Sequence, residues 1–132
     1  MLIAPVSKAA DRIAVVPVKY VRENSDQTRV LEGVSWHMKG EEHRAVAKRF
    51  NLAATTKSTM AAWRNAETSC SRAFLSAIIQ LQTDALNLGA DGVIDITSNA
   101  MGQTHDEADS LICTKGGFVA RVSISGTPVM FK

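Results

Sequence analysis

The most regular hydrophobic pattern of the chain lies between residues 68 and 89. Apolar side chains recur there at spacings of three and four residues, which place them on one face of a helix. They are Cys70, Phe74, Ala77, Ile78, Leu81, Ala85 and Leu88. Thr68 or Ser69 can cap the start of this helix with a hydroxyl oxygen, and Gly89 suits the left-handed position after its last turn. The pattern predicts one long helix that packs on a sheet.

A second apolar row runs along the same helix. It contains Leu75, Ile79 and Leu86, and it widens the apolar arc to roughly 200°, more than one surface helix usually needs. Two interpretations follow. In the first, the amino-terminal strands or the side chains of Trp36 and Trp63 cover the row. In the second, the row is an interaction face, because an exposed apolar patch of this size marks an interaction site.

The residues after Gly89 have the β-branched and alternating patterns of strands. We expect strands over residues 93–97, 108–114, 118–125 and, as a short final strand, 129–131. Residues 102–106 are polar and predict a reversal of the chain, and the glycines at 116 and 117 permit a tight turn or bulge. The second half of the chain therefore predicts a helix followed by successive strands.

The amino-terminal half is less regular. Residues 1–11 show no periodicity and are predicted to be a loose lead-in to a single domain over residues 12–132. β-branched residues predict a strand over residues 12–18, turn-forming residues predict a loop over 22–28, and weak alternation predicts a second strand over 30–38.

The segment from residue 43 to residue 59 is ambiguous between helix and strand. It begins with alanines and other helix formers, but Val46, Lys48, Phe50 and Leu52 keep a period of two. Several threonines and serines follow, and these residues favour extended chain. We therefore favour a third strand, joined to the helix by a connector over residues 60–65.

Together these elements predict an α+β fold, with an antiparallel-rich mixed sheet of about five or six strands packed by one long helix. The 132 residues, of which 45% are hydrophobic and 21% charged, suffice for one domain with its own core. Basic and acidic residues number 15 and 13 and are interspersed, so the chain lacks the basic footprint of a nucleic-acid-binding protein. No apolar run reaches the roughly 20 residues that cross a bilayer.

The sequence contains no recognisable catalytic motif. A phosphate-binding loop and a G-x-S-x-G nucleophile elbow are both absent. The histidines His37, His43 and His105 show no spacing that joins them to a nucleophile or to a carboxylate pair, and we expect them to be solvated surface residues. We therefore predict a non-enzymatic protein that needs no cofactor.

One polar turn offers an alternative function. His105, Asp106, Glu107 and Asp109 lie close together in the sequence and could supply nitrogen and oxygen ligands to a divalent metal ion. The same composition is typical of a solvated loop tip. A metal-binding module is therefore the alternative to a protein without a cofactor.

The chain has only two cysteines, Cys70 and Cys113. They lack the paired local spacing of a zinc site. Cys70 lies on the helix face that is predicted to pack on the sheet and Cys113 lies in a predicted strand, so their side chains could point toward the same layer. A disulfide would stabilise the domain by roughly 3–4 kcal/mol and would persist only in an oxidising compartment. Two buried, unreactive thiols are the other possibility and would be compatible with the cytoplasm.

The block over residues 70–96, Cys113 and the Gly-Gly-Phe-Val-Ala segment at residues 116–120 resemble a family of small bacterial proteins labelled "excinuclease ATPase subunit". The chain lacks the nucleotide-binding residues that this label implies. More distantly, the helix, the Leu-Gly-Ala-Asp-Gly-Val turn and the Cys113 strand look like the YbjQ-like heavy-metal-binding-domain family and the Rcs stress-sensor outer-membrane lipoprotein.

The resemblance implies a compartment and a mode of assembly. Secretion signals in the family imply that this sequence is a mature periplasmic or secreted form. The chain shows no lipoprotein cysteine at its start, so membrane anchoring is not carried over from the resemblance. Disulfides in the Rcs sensor tie the helix start to late strands, and Cys70 and Cys113 occupy comparable places. The rings that YbjQ-like proteins form imply a possible homo-oligomer.

We therefore expect a non-enzymatic periplasmic binding or structural protein, with a role in envelope stress or in protein–protein interaction. The contact would use an exposed strand edge or the row of Leu75, Ile79 and Leu86.

Overall fold

A computed structural model of the protein describes residues 11–24, 30–62 and 64–132. The strands are β1 (Arg12–Pro17), β2 (Ser35–Met38), β3 (Val46–Arg49), β4 (Ala53–Met60), β5 (Gly92–Ala100), β6 (Gln103–His105), β7 (Ser110–Lys115) and β8 (Val119–Phe131). The helices are α1 (Val18–Asn24) and α2 (Ala66–Asn87). The α+β class is confirmed, but the sheet has eight strands instead of five or six, and α1 was not predicted.

The central strand of the sheet is β8, which has 13 residues. From its first residue to its last, β8 pairs with β4 and then with β3, and it also pairs with β7 and then with β5. A strand has only two edges, so β3 and β4 share one edge of β8, and β5 and β7 share the opposite edge. Outside them, β1 pairs with β7, β6 pairs with β5, and β2 pairs with β5 as the one parallel pair among the described strands.

The ambiguous segment at residues 43–59 is extended, as predicted, but it forms two strands. β3 pairs with the last residues of β8 and β4 pairs with its first eight. Between them, the Phe50 amide still donates to the carbonyl oxygen of Pro128 at 2.9 Å. The two strands are therefore one long strand with an interruption at residues 50–52.

The long helix α2 covers one face of this sheet. Its predicted apolar stripe is buried, except for Leu88, which lies beyond the last helical residue and is 50% exposed. The side chains beneath it come from alternate positions of β7 and β8 and are Leu111, Cys113, Ala120, Val122 and Ile124. A second, smaller apolar cluster contains Ile94, Val129 and Phe131.

The start of α2 differs from the prediction, whereas its end agrees. The cap is Asn65, whose side-chain oxygen accepts from the Thr68 amide at 2.8 Å, so the helix begins before Thr68 and Ser69. At the other end, Gly89 has a φ of +80°. This is the left-handed conformation that a residue without a Cβ atom adopts at low cost.

Three other expectations need correction. The start of the predicted loop at residues 22–28 belongs to α1, where the buried Val21 anchors the helix, and residues 25–29 lie outside the described residues. The predicted second strand is confined to β2. Residues 103–105, expected within a reversal, form β6, and the turn falls at Met101 and Gly102, which both have a positive φ.

Two predictions fall on parts that the structure does not describe. Of the lead-in over residues 1–11, only Asp11 is described. The predicted packing of Trp63 also lies outside the described residues.

Candidate functional site

The two cysteines form a disulfide that joins α2 to β7. Their Cα atoms are 5.9 Å apart, and both side chains are fully buried. Cys70 lies near the start of α2 on the face that packs on the sheet, and Cys113 points to the same layer as Leu111. This bond is compatible with an oxidising location outside the cytoplasm.

The second helix row does not form one continuous exposed face. Leu75 is only 7% exposed and Ile79 is half-buried, whereas Leu86 is 57% exposed. Trp36, one of the residues proposed to cover the row, packs edge-to-face on Phe74 of the main stripe with ring centroids 5.6 Å apart. As an interaction face, the row is therefore reduced to its last residue.

A buried glutamine that the sequence did not single out explains how this side of the helix is covered. Helical geometry places Gln82 between Ile79 and Leu86. Its amide nitrogen donates to the carbonyl oxygens of Val34 at 2.6 Å and Leu31 at 3.3 Å, and its oxygen accepts from the Leu31 amide at 3.1 Å. Gln82 thus holds the segment before β2 against the helix.

The polar turn proposed as a metal site has other contacts. A hydrogen bond of 2.7 Å joins His105 Nε2 to Ser110 Oγ, and Asp106 lies 3.7 Å from the ammonium group of Lys39. Glu107 and Asp109 are exposed. Within residues 11–24, 30–62 and 64–132, no group of three or more His, Cys, Asp or Glu side chains could hold a metal ion. The metal-binding alternative therefore gains no support from the structure.

A groove of about 710 Å³ lies where α1, β2 and the end of β8 meet. Its lining includes Arg22, Trp36, His37, Glu41, Arg44 and Phe131. The Arg22 guanidinium lies 3.6 Å from the centre of the Trp36 ring and donates to Glu41 at 3.0 Å. Glu41 also accepts from the Met38 amide at 2.7 Å, so one carboxylate holds both the arginine and the turn after β2.

Two histidines predicted to be surface residues come together beside this groove. The rings of His37 and His43 are 5.7 Å apart, and each lies near the ring of Phe131, at 5.9 and 6.1 Å. His43 is exposed, as predicted, but His37 is half-buried. Sequence reasoning missed this cluster because Phe131 lies far along the chain from both histidines.

The surroundings of His37 favour its neutral form. Burial lowers the pKa of His37 most, and the positive charge that His43 can carry lowers it further. Glu41 opposes this effect, Arg22 adds to it, and a hydrogen bond to the backbone of Glu42 opposes it. The groove therefore combines His37, whose neutral form is favoured, with two arginines and two aromatic rings. Arginine and aromatic residues are enriched in protein contact surfaces.

The outer edge of β4 is a second candidate surface. β4 pairs with β8 along all eight of its residues, and its other edge has no backbone partner in the described part of the chain. Alternate residues of β4 are exposed, and they are Ala54, Thr56, Ser58 and Met60. An unpaired edge offers backbone N–H and C=O groups to another extended chain.

The two strands of this edge differ in how they are protected. β3 carries the exposed Lys48 and Arg49, and charged edge residues discourage pairing with other chains. β4 has only one charge, on Lys57, whose ammonium group donates to Gln80 of α2 at 3.4 Å. The one charge of β4 is therefore directed onto the helix, and no charged side chain of β4 protects its outer edge.

No helix among the described residues is long and apolar enough to span a membrane. The chain matches no family model, no curated protein and no solved structure, so its family resemblance stays a prediction.

Proposed function

We propose that this chain is a non-enzymatic binding protein of the periplasm, or of another oxidising compartment outside the cytoplasm, and that it binds polypeptides along the outer edge of β4. The role in envelope stress that the family resemblance implies belongs to the same proposal. The observation that carries it is the eight-residue edge strand whose only described partner is β8.

The chemistry of this edge suits the addition of a strand. A bound extended segment would complete the hydrogen bonds of the β4 backbone, and pockets between alternate side chains would supply specificity. The exposed side chains at positions 54, 56 and 58 are small, so they allow another backbone to approach. The Lys57 contact with Gln80 keeps the one charge of the strand away from this approach.

The disulfide supports the proposed compartment. A bond between Cys70 and Cys113 closes a segment of 43 residues and ties the helix to the sheet. In a reducing cytoplasm this contribution to stability would be lost. Protein exported to a periplasm should therefore have no free thiol, and alkylation followed by intact-mass measurement should add mass only after reduction. Alkylation of both cysteines without reduction would contradict the proposed compartment.

The binding surface can be tested in cells. A photoreactive amino acid at position 56 should give covalent adducts with protein on illumination, because Thr56 is exposed in the middle of β4. The matched control places the same group at Gln103, an exposed position on β6. Equal labelling at both positions, or none at position 56, would refute binding at the β4 edge, and mass spectrometry of the adducts would identify the bound chain.

A further inference from the structure

We infer that the outer edge of β4 pairs with β4 of a second copy of the chain, antiparallel, with Thr56 opposite Thr56 of that copy. This inference rests on the proposed use of the β4 edge and names its occupant. The pairing would join the two sheets into one continuous sheet across the dimer. Each copy would supply the same surface, which is the usual arrangement in a two-fold dimer.

The ends of the strand favour this register. Leu52, immediately before β4, is 68% exposed, and Met60, the last residue of β4, is 62% exposed. Both lie four residues from Thr56, one on each side. A two-fold axis at Thr56 therefore places each Leu52 opposite Met60 of the second copy, and two exposed apolar side chains at each end of the contact become partly covered.

The charge of the strand favours the same register. An axis at Lys57 would place this residue opposite its own copy, and like charges directly opposite each other destabilise a strand pair. With the axis at Thr56, Lys57 lies opposite Thr55 of the second copy. Lys57 can then keep its hydrogen bond to Gln80.

The composition between the two ends allows the edges to meet. Apart from Lys57, residues 53–59 are alanine, threonine or serine. Thr56 already shares a hydrogen bond of 2.8 Å with Ser123 of β8, so its hydroxyl is held on the face of the sheet and does not block the edge. The charged side chains of β3 lie beyond Leu52, outside the paired segment.

Cysteine cross-linking tests the register. Residues directly opposite each other have Cα atoms about 4.5–5.5 Å apart, within the range of about 4.4–6.8 Å that a disulfide spans. Thr56→Cys should therefore cross-link to its own copy under mild oxidation. Ala54→Cys and Ser58→Cys should each fail alone, because four residues of strand separate the paired thiols by about 13 Å. A mixture of these two variants should cross-link, and Gln103→Cys is the control for random oxidation.

Charge variants test the dimer in solution without a new thiol. Thr56→Lys and Thr56→Glu should each be monomeric in sedimentation equilibrium, since each places like charges opposite each other. An equal mixture should restore a dimer that contains one copy of each variant. Gln103→Lys should leave the dimer of the parent protein unchanged. An intact Cys70–Cys113 bond and an unchanged circular dichroism spectrum would show that the variants fold.

The possible failures have different meanings. A parent protein that stays monomeric at its highest soluble concentration, with no cross-link at position 56, overturns the second copy as occupant. If the photoreactive group at position 56 then labels a different protein, the proposed binding function stands. Absence of any adduct at position 56 refutes the function as well. A dimer that cross-links alone through position 54 or 58 overturns the register.

Discussion

Among single residues, Gln82 shows how a buried polar side chain can organise a helix face that looks mainly apolar. Its three hydrogen bonds reach the backbone of Leu31 and Val34, so the segment before β2 depends on it. An apolar residue of similar size would fill the same space but would leave these backbone groups without a partner.

We expect Gln82→Leu to lower the free energy of unfolding by about 1–3 kcal/mol, because it leaves the buried Val34 carbonyl and the partly buried backbone groups of Leu31 without their partner. Urea denaturation followed by circular dichroism measures this difference. Gln103→Leu, the same change at an exposed position on β6, should have a much smaller effect. Equal losses of stability in the two variants would show that the contacts of Gln82 are unimportant.

His37, which lines the groove, makes the stability of the folded protein depend on pH. Its pKa in the folded protein is lowered by burial and by His43, while the unfolded chain keeps the ordinary value of about 6.5. Below that value the unfolded state binds more protons than the folded state, so stability rises with pH in this range. The contribution of His37 to the free energy of unfolding is therefore complete above about pH 6.5 and is lost as the pH falls toward the lowered pKa of the folded protein.

Urea midpoints measured from pH 8 to pH 5 should consequently fall at the acidic end in the parent protein. His37→Gln should reduce this fall, because it removes the group whose protonation differs between the two states. The matched variant His105→Gln tests whether the loss of any histidine reduces the fall in urea midpoint. The same slope in the parent protein and in His37→Gln would contradict the assignment.

At the scale of elements, the start of α2 depends on a side chain three positions before Thr68 and four before Ser69, the two predicted caps. Asn65 satisfies the amide of Thr68. Ser69, by contrast, is fully buried within the helix, and its hydroxyl has no hydrogen-bond partner among the described residues. A cap needs an extended backbone just outside the helix, and Asn65 has a ψ of 165°.

Two alanine substitutions separate these residues. Asn65→Ala should lower the free energy of unfolding by about 1 kcal/mol, because an amide in the first turn loses its acceptor. Ser69→Ala should be neutral or stabilising, because it removes an unpaired buried hydroxyl. Thermal unfolding of both variants measures the contrast, and a larger loss in Ser69→Ala would contradict the observed helix start.

In the whole molecule, the disulfide connects the two layers that the core holds together. Cys70 belongs to the helix layer and Cys113 to the sheet. The bond restricts the conformations of the unfolded chain, and its two buried side chains also belong to the apolar core between α2 and the strands. Reduction therefore removes the covalent restriction alone, whereas substitution by alanine also removes packed sulfur atoms.

We expect the double variant Cys70→Ala, Cys113→Ala to lose about 4 kcal/mol of unfolding free energy, as loop-closure entropy gives for a separation of 43 residues. Reduction of the parent protein should produce a similar loss, measured by urea denaturation. The reductant should not change the double variant, which serves as its own control. A parent protein insensitive to reductant would refute the stabilising role of the bond.

The sequence predicted a candidate surface less completely when the residues that form it lie farther apart along the chain. The sequence predicts an exposed strand edge in general terms, but nothing in residues 53–60 indicates that, within the described part of the chain, they pair with β8 alone. The groove was not predicted, because Arg22, Trp36 and Phe131 come from three separate segments. The row of Leu75, Ile79 and Leu86 was recognised, yet its covering depends on the segment at residues 30–34.

The sequence by itself determined the features set by neighbours along the chain. These are the apolar stripe of α2, its end at Gly89 and the period of two that favours extended chain in the segment at residues 43–59, because helix and strand periods follow from backbone geometry alone. The tertiary structure alone decided that β3 and β4 share one edge of β8, that Gln82 is buried and that His37 meets His43 beside Phe131. Each of these depends on burial and hydrogen bonds supplied by distant residues, which no local pattern contains.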